Sequence, residues 1–271
     1  MIRRLGIALA LLLVSTASSA QVVYSNMPSS PAPNYPSQPY QAQQVTQFGN
    51  LLHLAPGGRD LSQVSFLMST WAIGSDYPTL LAANALGWNH DFTLNIYAAG
   101  AGGSVGSLLY TTTQNKQIAW RPEADPMCGD TRWISMVDGT CYNGMATPLD
   151  FMFTPGTFTT PDDVIIALAF NTQSYGPSPM GAPGPYNSLN VALGPTPTTV
   201  GSEDPDVAYV QTTYPGWTDG TFQRDAGWDP YAPMMEITTN VTSTPEPASM
   251  VLLGTGLAGI GAIARRRKQT A

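Results

Sequence analysis

Residues 163–172 are "DVIIALAFNT", and seven of them in succession, Val164 to Phe170, are apolar. An apolar run of this length, bounded by Asp163 and Asn171, has the form of a central strand buried on both faces. In the neighbouring segment "FTLNIYA" the residues alternate instead. Phe92, Leu94 and Ile96 fall on one face and Thr93, Asn95 and Tyr97 on the other, as in a strand with one wet side. Similar short segments recur: "QVSFLMSTWA", "SLLYTTT", "LDFMFT", "SLNVAL", "DVAYVQTT" and "MMEITTNV". Each is rich in β-branched or aromatic residues and ends at Gly, Pro, Asn or Asp. Long amphipathic helices are missing. "DYPTLLAANALGW" has room for one or two helical turns around Leu80 to Leu86 before glycine and proline interrupt the period. Many short strands without alternating helices predict an all-β fold, a single jelly-roll-like β-sandwich over residues 45–240.

The two ends of the chain carry different signals. Arg3 and Arg4 precede an apolar stretch from Leu5 to Val14, and Ser18 and Ala20 supply small residues for cleavage. This predicts a signal peptide over residues 1–20, removed by signal peptidase after export through the general secretion machinery. At the other end, residues 248–264 are 17 consecutive residues without a charge. As a helix they would extend about 26 Å, close to the hydrocarbon thickness of a bilayer. Arg265, Arg266, Arg267 and Lys268 follow at once, so residues 265–271 form a basic cytoplasmic tail and the bulk of the chain lies outside. Gly254, Gly256 and Gly259 satisfy the G-x-G-x-x-G spacing of a dinucleotide site. No strand precedes them and no acidic residue follows, so the context such a site needs is absent.

Pro245, Glu246 and Pro247, within the linker 241–247 and followed by the apolar segment and the arginine cluster, resemble the PEP-CTERM sorting signal of bacterial surface and matrix proteins. The resemblance implies recognition by an exosortase-type membrane protease near Pro-Glu-Pro. It also implies a final location at the cell surface or in the extracellular matrix, in a host that makes exopolysaccharide or biofilm. Within the domain, "IAWRPEADP", "FNTQSYG" and "PYNSLNVAL" are loosely similar to uncharacterised bacterial surface β-domains, a likeness that implies no activity.

Residues 21–44, beginning "QVVYSNMPSSPAPNYPSQPY", are rich in Pro, Ser and Gln. Such a composition buries little of its own surface, which predicts a disordered linker. Tyrosines interleaved with its prolines offer weak surface contacts. Between residues 21 and 247 five basic residues stand against all 18 acidic ones, a balance of −13. That charge repels phosphate backbones and argues against nucleic-acid binding.

Cys128 and Cys141 are the only cysteines. An isolated pair in an exported protein predicts one disulfide, worth about 3 kcal/mol by loop closure. No catalytic triad is visible, since neither His53 nor His90 neighbours a nucleophile elbow. His53 falls in the apolar "LLHLAP" and His90 in "GWNHDF", a turn leading into a strand. Asp150, Asp162, Asp163, Asp225 and Asp229 are candidates for a paired-carboxylate glycosidase. Glu203, Asp204 and Asp206 concentrate oxygen ligands suited to calcium, although no EF-hand spacing supports a metal, and no cofactor is expected.

Aromatic residues in Gly/Pro-rich segments suggest a further role. Trp88, Trp120, Trp133, Trp217, Trp228, Tyr175, Tyr186, Tyr214 and Tyr231 are of this kind. Aromatic faces stack on sugar rings, and nearby Asp and Asn accept their hydroxyl groups. The segment "YPGWTDGTFQRDAGWDPYAP" predicts a glycan platform at Trp217, Trp228 and Tyr231. Core packing is the competing explanation, and at least half of these rings are expected to be structural. Two functions follow: a non-enzymatic exported protein associated with polysaccharide, or a secreted hydrolase acting on it.

Overall fold

A computed structural model describes residues 18–170, 184–194 and 198–242, with Gly254 and Gly256. The sorting residues Pro245, Glu246, Pro247, Arg265, Arg266, Arg267 and Lys268 lie outside the described residues. So do residues 1–17 and, apart from the two glycines, the expected membrane segment 248–264. Among the described residues no helix is long and apolar enough to cross a membrane.

The chain divides into two units, of which one, Ala20–Asn240, contains the β-domain. Its strands begin with β1 (Ser18–Ser25), β2 (Ser37–Gln38), β3 (Val45–His53), β4 (Asp60–Thr70), β5 (Gly87–Ala99), β6 (Val105–Ala119), β7 (Trp133–Ile134) and β8 (Cys141–Tyr142). They continue with β9 (Met145–Met152), β10 (Asp163–Ala169), β11 (Leu189–Gly194), β12 (Ser202–Glu203), β13 (Val207–Thr212), β14 (Gln223–Ala226), β15 (Ala232–Pro233) and β16 (Met235–Thr242). One short helix, α1 (Pro78–Ala83), starts on its proline and buries no side chain, so nothing extends it.

The strands form two seven-stranded sheets and a two-stranded one, β7 with β8. The first large sheet has the order β1-β16-β4-β11-β15, with β2 on β11 and β9 on β4. The second has the order β14-β13-β3-β10-β5-β6, with β12 on β3. Val64, Phe66 and Met68 of β4 share one core cluster with Phe48 and Leu52 of β3, Leu94 and Ile96 of β5, and Ile166 and Leu168 of β10. The sheets therefore bury their apolar faces against each other.

The decisive run behaves as its pattern demands. β10 sits between β3 and β5, pairing antiparallel with both. Val164, Ile166 and Leu168 enter the main core, while Ile165 joins Leu51, Val207 and Tyr209 in a smaller cluster. On β5, Phe92, Leu94 and Ile96 are fully buried, and Thr93, Asn95 and Tyr97 are half-buried. His90 lies within β5 rather than in a turn before it.

Residues 21–44 correct the linker expectation. β1 pairs with β16 and β2 with β11, and Val23, Tyr24 and Tyr40 are fully buried. Tyr40 stacks on Phe170 with ring centroids 4.0 Å apart, and its hydroxyl donates to the Leu168 carbonyl at 2.8 Å. The segment cannot form a core alone, but its few apolar rings complete one supplied by the rest of the domain. Its proline carbonyls serve as acceptors: Ala146 N–H donates to Pro33 and Leu193 N–H to Pro36. β1 also runs through the expected cleavage point after Ala20.

Candidate functional site

Trp71 follows the last residue of β4 and is the most exposed of the six tryptophans, at 43 %. Its backbone is fixed on both sides. The N–H donates to the Ser188 carbonyl at 2.9 Å, and the carbonyl accepts Arg121 Nε–H at 3.0 Å. The indole N–H donates to Ser69 Oγ at 3.1 Å, and that hydroxyl donates to Asn34 Oδ1 at 2.8 Å. With its only polar group engaged, the ring offers an apolar surface to solvent.

Two hollows meet at Trp71 and Ser37. One, of about 320 Å³, is lined also by Pro39, Gln41, Ser188 and Asn190. The other, of about 430 Å³, is lined also by Asn34, Tyr35, Pro36, Cys141, Tyr142 and Asn143. The fold assembles this cleft from three places. β11 pairs with both β2 and β4, which sets Asn190 opposite Ser69 and beside Ser37, whose Oγ accepts from Asn190 Nδ2 at 3.2 Å. β9 lies on the other side of β4, with Met145 opposite Thr70, and brings in the loop before it.

That loop is closed by the disulfide Cys128–Cys141, with Cα atoms 5.5 Å apart. Arg121 ties the loop to Trp71: buried to 4 % exposure, it donates from Nη2 to the Thr131 carbonyl at 2.6 Å and from Nη1 to Pro122 at 3.1 Å. Burial lowers its pKa. Gly144 closes the junction. A Cβ there would lie 2.5 Å from Ser69 Oγ and 2.6 Å from Trp71 Nε1, and the Gly144 carbonyl accepts Trp133 Nε1–H at 2.9 Å. Only a residue without a side chain fits.

Residues 243–268 match the family model for the PEP-CTERM protein-sorting motif. The chain carries a PEP-CTERM sorting signal. The motif implies export to the cell envelope and processing by an exosortase-type partner. Comparison with curated proteins and with solved structures returned no match.

The expected platform is placed differently from the cleft. Trp217 and Trp228 are half-buried against the main core and stack on each other, with centroids 6.5 Å apart. Both indole N–H groups donate to Asp225 Oδ2, at 3.1 and 2.8 Å, and Trp228 also leans on Phe48. Tyr231 is exposed at 41 %. The pair thus braces its loop around one carboxylate. Trp88 and Trp133 are buried, and Trp120 stacks on Tyr77 while donating to the Asn84 carbonyl. Trp71 lies in a segment legible only as a strand, and its one sequence signal is its position at the strand's end.

The carboxylates are held by several partners, and two of them, Asp163 and Asp204, share His53. Asp150 accepts from Ser65 Oγ, Asp162 pairs with Arg59, and Asp163 faces His53 Nδ1 at 2.7 Å. Asp204 faces His53 Nε2 at 3.3 Å. Glu203 accepts from the Tyr24 hydroxyl at 2.6 Å and from Asn50 Nδ2 at 2.9 Å, and burial raises its pKa. Asp206 accepts from the Asp229 N–H instead. Among the described residues no group of three His, Cys, Asp or Glu is placed to hold a metal.

A larger hollow, of about 630 Å³, is lined mainly by apolar side chains such as Met27, Pro33, Leu67, Met136 and Pro148. It lacks the side-chain amides that line the Trp71 cleft.

Proposed function

We propose that this PEP-CTERM protein is a non-enzymatic surface or matrix protein whose jelly-roll-like domain binds extracellular polysaccharide in the Trp71 cleft. The observation that carries this reading is the exposed indole at the junction of two hollows lined by amides and hydroxyls. A pyranose ring has apolar C–H faces and a hydroxyl rim, and it needs an aromatic surface flanked by such groups. Residues 1–20 direct export, residues 248–264 hold the precursor in the membrane, and the exosortase-type protease acts near Pro-Glu-Pro.

The test is co-sedimentation of the mature protein with the polysaccharide of its own host. Binding is expected for the native chain and lost in Trp71→Ala. Equal binding by both would refute the assignment of the cleft, and release of reducing ends would replace binding with hydrolysis.

A further inference from the structure

We propose that the Trp71 cleft takes an uncharged polysaccharide, bound as a chain over two adjoining sugar subsites that meet at the indole. This rests on the polysaccharide-binding reading and adds the class of polymer. The described residues lining the two hollows include no Lys, Arg or His. An anionic sugar, a uronate or a sulfated ring, needs a cationic donor to offset the cost of removing its charge from water.

The arginines of the loop region are already engaged. Arg121 is buried and spends its donors on the carbonyls of Trp71, Pro122 and Thr131. Arg132 Nη2 donates to the Cys128 carbonyl at 2.6 Å. A charge of the opposite sign also bonds to a lining side chain. Tyr142, which lines one hollow, donates its hydroxyl to Asp138 Oδ2 at 2.6 Å. That bond, with the Thr140 N–H also donating to Asp138, holds the carboxyl below its usual range and therefore ionised. A polyanion would meet this carboxylate and a domain with a balance of −12, both repulsive.

Size and composition argue for two rings rather than one. Each hollow falls within the range of a small-ligand site. Each has two amides that the other lacks, Gln41 and Asn190 in the first and Asn34 and Asn143 in the second. Trp71 and Ser37 border both, so a chain crossing the indole would place successive rings against different amides.

The experiment is affinity electrophoresis of the full chain in mild detergent, through gels containing dextran or a neutral β-glucan, and separately alginate or polygalacturonate. Retardation by at least one neutral polymer is expected, insensitive to added salt, with none by the anionic ones. Trp71→Ala should weaken it about tenfold and Trp71→Tyr should restore most of it, as expected of a stacking surface. Asn143→Ala and Asn190→Ala should each weaken it about threefold. Should Trp71→Ala not fold, as judged by near-ultraviolet circular dichroism, the tyrosine and asparagine variants decide. Trp71-dependent retardation by the anionic polymers alone would overturn the uncharged ligand while leaving a polysaccharide site. An effect of only one asparagine would overturn the two subsites. Retardation by no polymer would remove the polysaccharide reading itself, and this inference with it.

Discussion

Arg121 donates from Nε to the carbonyl oxygen of Trp71 at 3.0 Å while its Nη2 holds the Thr131 carbonyl at 2.6 Å. One buried guanidinium thus joins the end of β4 to the disulfide loop. Arg121→Met would leave these carbonyls without their donor and should cost about 3 kcal/mol in guanidinium chloride unfolding. Arg121→Lys keeps the charge but not the planar fork, so it should recover less than half of that loss.

The Cys128–Cys141 bridge closes a loop of sequence separation 13. Paired Cys128→Ser and Cys141→Ser substitutions should lower stability by about 3 kcal/mol. The native protein should lose the same amount on adding dithiothreitol, and the double variant nothing. A urea titration of both, with and without reductant, makes the comparison.

Gly144→Ala would drive a methyl group against Ser69 Oγ and Trp71 Nε1. Overpacking of this kind costs about 1–3 kcal/mol, and the indole is expected to shift its fluorescence emission as its hydrogen bond to Ser69 breaks. Adding Ser69→Gly should recover part of the loss if the two positions are coupled through that contact. Additive losses would show that they are not.

His53 titrates between two carboxylates. The hydrogen bond to Asp163 raises its pKa, opposed by desolvation and aided by Asp204. A raised native-state value favours the protonated fold, so this contribution is fully present below pH ~6.5 and is lost as pH rises through the raised value. The side chains are 38 %, 59 % and 37 % exposed, and solvent screening holds the effect to about 0.5 kcal/mol. His53→Gln should therefore melt below the native protein at mildly acidic pH and together with it at alkaline pH. A constant difference across that window would refute the ion-pair origin.

The strands were legible because their signal is local. Alternation in "FTLNIYA" and continuity in "VIIALAF" record which faces are buried, whatever the partner. Tyr24 and Tyr40 were not legible as core, because the composition of residues 21–44 measures only what that segment could bury by itself. Trp71 was hidden for a related reason: its solvent exposure is set by β11, β2 and the disulfide loop, all distant in the chain. Trp217 and Trp228 carried the composition of a platform, but the single carboxylate of Asp225 between their N–H groups turns them into a brace. These bonds span only eight and three residues, but composition does not record the loop conformation that closes them.

β4 runs from Asp60 to Thr70, and β16 runs back along it with Asn240 opposite Asp60. The domain's exit to its tail and the indole after Thr70 therefore lie at opposite poles, about 33 Å apart along one strand. β1 enters at the same pole as the exit, since Asn26 bonds to Met235 and Gln21 to Thr239. The chain therefore enters and leaves the domain at one pole, and Trp71 stands at the other with the whole length of β4 between them.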